Sequence, residues 1–266
     1  TATPRTSLRV DWGAMPIAQQ FLGRQHELAT LYQWVVTERT RAVAIVGMGG
    51  QGKTTIAAHF VQTLTTSAAP DASSTATSAP FEGIIWRSLL HAPPLADILQ
   101  DWLYQLSDQQ IVTLPRTLDG QLALLADYLQ QRRFLLVLDN VESIVVAATA
   151  GKNEAYAAYQ QLWQLFLERE HHSCLLVTSR ESMHKIYRQT EQPGLFRQLL
   201  LDGLTTTEGE QLLKRHGLQE NRAAFTDLHQ RYSGNPLALT LVAQAIDEFF
   251  AGDVVAFLQE DLLFFG

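Results

Sequence analysis

Apolar residues along this chain fall into two rhythms. The first is a set of short, nearly unbroken runs: Ala42-Val43-Ala44-Ile45-Val46, Ile84-Ile85-Trp86, Phe134-Leu135-Leu136-Val137-Leu138, Cys174-Leu175-Leu176-Val177 and Leu199-Leu200-Leu201. Runs of this kind mark strands covered on both faces. They predict strands over 41–46, 83–89, 134–139, 173–180 and 195–201. Between them apolar positions recur at helical spacing: Leu28, Leu31, Trp34 and Val35 within 26–37, then further helices at 53–63, 94–108 (Leu95, Ile98, Leu99, Trp102, Leu103, Leu106), 117–132 and 155–169. Alternating strands and helices imply a parallel sheet with helices on both faces, so the fold class expected is α/β, three-layered, with five strands. After Asp202 only the helical rhythm remains, over 206–216, 221–232, 236–250 and 253–260. The expected domains are a lead-in at 1–20, an α/β domain at 21–203 and a small all-helical domain at 204–266.

Two stretches lack either rhythm. Residues 1–20 are broken by Pro4 and Pro16 and read as extended; Trp12 is either an anchor on the domain or an exposed linker residue. Residues 65–80 are rich in Ser, Thr, Ala and Pro, with little to bury, and read as a mobile loop without chemistry of its own.

Chemistry concentrates where the first run ends. Gly47-Met48-Gly49-Gly50-Gln51-Gly52-Lys53-Thr54-Thr55 fits G-x-x-x-x-G-K-[ST] at every fixed position, between a strand and a helix. Glycines let backbone N–H groups converge on a phosphate, and the helix start adds unpaired donors and positive dipole. Lys53 supplies charge toward the β- and γ-phosphates, and the Thr54 hydroxyl can ligand Mg²⁺. The alternative is a plain glycine turn with Lys53 in solvent.

Asp139 ends the most apolar strand, at the edge where open parallel sheets bind ligands. There it can hold Mg²⁺, or it can simply cap the next turn. Asn140 stands where many nucleotide hydrolases carry a second carboxylate; it can orient water but cannot take its proton. Glu142 is either its substitute or a solvated turn residue. If the 173–180 strand lies between the 41–46 and 134–139 strands, Thr178 and Arg180 emerge beside the terminal phosphate, where Arg180 can distinguish tri- from diphosphate. The competing reading for Arg180 is an ion pair with Glu181 or Glu142. The eight histidines show no metal-ligand spacing.

Composition narrows the partners. Of 266 residues, 46% are hydrophobic, enough for a sizeable core, and the net charge of −7 with scattered Lys and Arg gives no footprint for nucleic acid. The single cysteine, Cys174, lies in an apolar run and reads as core; a reducing, cytoplasmic setting is expected. No run reaches membrane-spanning length. The chain opens on Thr1 and ends on apolar Leu262-Leu263-Phe264-Phe265, so it reads as a piece of something longer.

Several elements together resemble the NB-ARC family of STAND-class NTPases, and the likeness runs from about residue 20 to 260. Phe21-Leu22-Gly23-Arg24 resembles its hhGR element, Gly47–Thr55 its Walker A, Leu135–Asn140 its Walker B, Leu176–Arg180 its sensor-1 strand and Ser233-Gly234-Asn235-Pro236-Leu237-Ala238-Leu239 its GxP motif. The resemblance implies an ASCE-type P-loop sheet with an ARC1-like helical domain. It places Phe21, Leu22 and Arg24 near adenine, with Pro236 and Leu237 closing on the base. Lys53, Thr54 and Thr55 bind phosphates in the cradle of Gly47, Met48, Gly49, Gly50, Gln51 and Gly52; Thr54 and Asp139 hold Mg²⁺; Lys53, Asp139, Asn140 and Arg180 form the catalytic set. Gln25 replaces the family's usual Glu, and Asn140 replaces a second acid. No winged-helix domain follows within this chain.

The function this implies is an ATP/ADP switch with slow hydrolysis, governing the conformation and oligomerisation of a larger signalling protein. Winged-helix, sensor and effector domains would lie outside the chain, with self-oligomerisation among the partners, and no nucleic acid or membrane. Adenine rests on the resemblance, as no guanine-reading motif is evident. The alternatives are a fast-cycling AAA+-like motor acting on nucleic acid or protein and, more weakly, a phosphotransferase. Asp101 and Asp119, the acids the last would need, sit in helical or turn contexts.

Overall fold

A computed structural model describes residues 8–17, 21–67, 79–110, 113–149, 153–183 and 192–260. Among these residues six parallel strands form one sheet in the order β1-β3-β4-β5-β2-β6: β1 Arg9–Asp11, β2 Ala42–Val46, β3 Gly83–Ser88, β4 Phe134–Asp139, β5 Cys174–Ser179 and β6 Phe196–Leu200. The five expected strands are present, and β5 lies between β2 and β4.

The period-two alternation of strand side chains divides the core into two layers. Ala42, Ala44, Leu136, Leu138, Leu175 and Val177 face one cluster, packed under helices α3 (Leu95–Leu106), α4 (Leu118–Gln131) and α6 (Asn153–Glu168). Val43, Ile45, Leu135, Val137, Cys174 and Leu176 face the other, under α1 (Gln25–Tyr32) and α2 (Lys53–Ser67). Cys174 is a core residue, and burial pushes its thiol up to about 12. A third apolar cluster gathers Leu213, Phe225, Leu228, Val242, Ile246 and Phe257 from α7 (Thr206–Arg215), α8 (Arg222–Arg231), α9 (Pro236–Phe250) and α10 (Val254–Gln259).

Three expectations need correction. Among the described residues the sheet has six strands rather than five, because Arg9–Asp11 adds an edge strand to β3. One apolar residue between two charged ones gives no periodic signal; what holds β1 is pairing with β3 and the Asp11–Arg87 ion pair at 2.6 Å. The loop expected after Asp139 is helix α5, Glu142–Thr149, whose β-branched content masks its helical character. The helix expected over 26–37 is α-helical only to Tyr32 and continues as a π turn, Gln33–Thr37. The stretch 65–80 and the tail 262–265 fall largely or wholly outside the described residues; Trp12 is 41% exposed.

Candidate functional site

β2 is buried along its whole length and delivers the chain to the carboxyl edge of the sheet, where Gly47 N–H donates to Ser179 O at 3.3 Å and Leu201 N–H to Val46 O at 2.6 Å. Pinned on both sides, the loop Gly47–Gly52 turns and enters α2 at Lys53. Gly52 has φ +87°, and a Cβ there would meet no heavy atom within 4 Å, so the space beside it is open. At Gly50, φ +79°, a Cβ would stand 2.7 Å from Asn235 Oδ1. Both positions take the left-handed backbone that glycine permits, and Gly50 also allows a close approach.

Lys53 is 8% exposed and folds back over the loop, its ammonium donating to Gly47 O and Met48 O, both at 2.8 Å. Burial lowers its pKa, Glu142 opposes this, Arg180 adds to the lowering and Asp139 opposes it. Met48 is exposed and Gln51 is buried.

Asp139 is buried and surrounded by donors. Its Oδ1 accepts from Thr54 Oγ1 at 2.8 Å and from Thr178 Oγ1 at 2.5 Å, and its Oδ2 accepts from Asn140 Nδ2 at 3.0 Å. Thr178 Oγ1 in turn accepts from Asn140 N–H at 3.0 Å. The first hydroxyl of α2 and the tip of β4 thus meet at one point. Two hard oxygens placed together in this way could hold Mg²⁺. Thr55, the next residue of α2, is exposed.

Arg180, just past β5, is 66% exposed at its side chain and pairs with Glu142, Nε to Oε1 at 3.2 Å, while Glu142 Oε2 accepts from Arg180 N–H at 3.3 Å. A Cβ on Gly49 would lie 3.7 Å from the guanidinium carbon, so the cation sits against the loop as well as in the ion pair.

The helical cap reaches the loop directly. Asn235 Nδ2 donates to Gly49 O at 2.8 Å, and Leu237 N–H to Gly50 O at 3.3 Å. Pro236, between them, opens α9 at its first turn, where its missing N–H costs nothing. The hhGR stretch lies at the junction of sheet and cap. Phe21 stacks on His59 of α2 at 4.0 Å, with Leu22 half-buried beside it. The Arg24 guanidinium is buried and donates to Glu27 Oε1 at 2.8 Å and Asp202 O at 2.6 Å, and its backbone N–H donates to Glu208 Oε1 at 2.8 Å.

The structure therefore brings Lys53, Thr54, Asp139, Asn140 and Arg180 to one edge of the sheet, with Asn235 and Leu237 arriving from the cap. Arg24 is committed to the junction rather than to the loop. Sequence reading named Asn235 only inside a motif and left Glu208 unmentioned. The signals were there: Asn before Pro at a helix start, and Thr205-x-x-Glu208 as a capping box.

Residues 24–202 match the NB-ARC domain family. A WD repeat-containing protein of Nostoc sp. (strain PCC 7120) is 40% identical over 257 residues, covering 94% of this chain and 20% of that protein, so this chain spans about a fifth of its relative's length. Among solved structures, the Signal Transduction ATPase with Numerous Domains (STAND) protein with a tetratricopeptide repeat sensor from Pyrococcus horikoshii matches with a TM-score of 0.54 at 18% identity, over 86% of this chain and 31% of that one. Drosophila ORC bound to DNA matches with a TM-score of 0.62 at 13% identity, over 92% and 62%. At these identities the structural likeness speaks for the fold.

Proposed function

We propose, for a chain that belongs to the NB-ARC family of STAND-class P-loop NTPases, that it is an ATP/ADP-binding switch module whose nucleotide lies between phosphate loop and helical cap. The observation that carries this is the pair of hydrogen bonds from Asn235 and Leu237 to Gly49 and Gly50: the cap is fastened to the loop that would hold the phosphates. The working division is a nucleotide-binding body at 21–203 and a helical cap at 204–266.

In this reading the loop's N–H groups and the start of α2 receive the phosphates, and Lys53 turns from Gly47 O and Met48 O toward them. Thr54 and Asp139 are the residues that would hold Mg²⁺, which neutralises phosphate charge when bound. Arg180 exchanges Glu142 for a terminal phosphate. Phe21, Leu22, Arg24, Pro236 and Leu237 border the side where a base would lie.

Hydrolysis is expected to be slow, because Asn140, at the position next to Asp139, can orient a water but cannot accept its proton. A module of this kind works by shifting population between two arrangements rather than by turnover. The WD repeats of the Nostoc relative support a larger protein with a repeat sensor, whose oligomerisation this module would govern. A cytoplasmic setting accompanies the reading; among the described residues no helix is long and apolar enough to cross a membrane.

Calorimetry on the purified protein tests the site: ADP should bind, and Lys53→Ala should abolish binding. Unchanged binding by the variant would remove Lys53 from the site. The fold-level likeness to DNA-bound ORC supports a second reading, an AAA+-like motor. Steady-state turnover with and without DNA separates the two: the switch stays slow in both, the motor accelerates.

A further inference from the structure

Four successive carbonyls of the phosphate loop carry hydrogen bonds. Gly47 O and Met48 O take theirs from Lys53, within the loop itself. Gly49 O and Gly50 O take theirs from the cap, through Asn235 Nδ2 and Leu237 N–H. In a trans peptide the C=O and N–H point opposite ways. Holding Gly49 O outward toward Asn235 therefore turns the Gly50 N–H to the opposite side, into the loop.

Asn235 does this while serving as the N-cap of α9. Its Oδ1 accepts from Leu237 N–H and Ala238 N–H, both at 3.1 Å, leaving Nδ2 free for the loop. One carboxamide thus uses its acceptor for its own helix and its donor for the phosphate loop; an ionised Asp cap has no donor to offer, and a Ser or Thr cap has only one, shorter-reaching oxygen for both tasks. Gly50 completes the fit, since a side chain there would strike Asn235 Oδ1 at 2.7 Å and Leu237 Cβ at 2.9 Å. The contact is backed at the junction, where Leu204 N–H donates to Gly234 O at 2.8 Å.

The geometry points to Asn235 as a latch: a positioning residue through which the helical cap sets the orientation of the phosphate-loop peptides, and through which loop occupancy is transmitted to α9. The inference rests on the nucleotide-switch reading for its ligand, but the latch itself is a contact between two parts of the protein and can be tested without any ligand. Linkage then requires reciprocity: if the latched cap raises nucleotide affinity, nucleotide must stabilise the latched cap by the same factor.

The informative variant is Asn235→Asp, which keeps size and helix capping but sets a carboxylate oxygen against Gly49 O. Asn235→Ser keeps a capping hydroxyl and loses the reach. In nucleotide-free protein with spin labels at exposed Thr63 and Glu248, the inter-label distance should be narrowly distributed, and broad in Asn235→Asp. The thermal midpoint should stay near that of the parent. With ADP, both variants should release nucleotide roughly three- to tenfold faster, the range for one neutral hydrogen bond. ADP should also slow amide exchange in the first turn of α9 in the parent but not in the variants. Unaltered distance distributions in Asn235→Asp overturn the latch whether or not nucleotide binds. Absent ADP binding by the parent overturns the nucleotide reading and leaves the latch to be decided by the distances.

Discussion

Arg180 and Glu142 form an ion pair across the rim of the phosphate loop, Nε to Oε1 at 3.2 Å, with Arg180 two-thirds exposed and Glu142 largely buried. A pair with one partner so exposed holds weakly, because solvent screens the charge. A terminal phosphate offers the guanidinium stronger, charge-assisted bonds and can draw it away. Arg180→Ala should therefore weaken ATP roughly tenfold or more while leaving ADP within about twofold, since only the triphosphate presents that group. Calorimetric titration with each nucleotide checks this, and an equal loss for both would make Arg180 a general electrostatic aid.

The same exchange frees Glu142. It stands in the first turn of α5, three residues past Asp139, and acts on Lys53 more strongly than Asp139 does. If Glu142 orients the attacking water, Glu142→Gln should slow single-turnover ATP hydrolysis by about a hundredfold, the scale of general-base loss, with ADP affinity kept. Asn140→Ala should cost far less, because its amide serves Asp139 Oδ2. Hydrolysis unchanged in Glu142→Gln would return Glu142 to the role of Arg180's partner.

Glu208 joins the hhGR stretch to the cap. Oε1 accepts from Arg24 N–H at 2.8 Å, and Oε2 accepts from Thr205 N–H at 2.8 Å and from the Thr205 hydroxyl at 2.9 Å. A glutamine offers one acceptor and sets an amide donor against a donor, so Glu208→Gln should destabilise the fold by about 1–3 kcal/mol. Urea unfolding measures it; a midpoint shift of nearly zero would mean that water replaces these bonds.

These contacts show where sequence reading reaches and where it stops. The strand and loop at 42–52, the helix that follows, Asp139 at a strand tip and Arg180 past another were legible because each is announced by its immediate neighbours; the last turn of that helix, Thr65 to Ser67, was read as loop because Ser and Thr carry no apolar period. The convergence of Thr54, Asp139 and Thr178 was legible only conditionally, since it depends on β5 lying between β2 and β4. Asn235 to Gly49 spans 186 positions and Arg24 to Glu208 spans 184, so no local pattern carries either contact. Strand β1 was hidden because what holds it is pairing with β3 and the ion pair of Asp11 with the distant Arg87 rather than an apolar pattern of its own.

Acid should loosen this protein in two separate windows. His171 donates from Nε2 to Phe166 O at 2.9 Å and rests edge-on against the Phe166 ring. Burial above all pulls its pKa from 6.5 down to about 4, partly opposed by that hydrogen bond. The folded imidazole therefore stays neutral between about pH 6.5 and 4 while the unfolded one takes up a proton, and stability must fall as pH drops through that interval. Glu208 is different: burial raises its pKa, but the bonds from Thr205 and Arg24 outweigh it, so its folded carboxyl titrates below the ordinary 4.5. Its contribution is intact above the ordinary 4.5 and is lost as pH falls from there through that depressed value. His171→Gln retains a donor for Phe166 O and removes the titration, so between pH 7 and pH 5 the parent should lose about 2 kcal/mol more than the variant. Urea midpoints at the two pH values decide it; parallel losses in both proteins would place the acid sensitivity elsewhere in the fold.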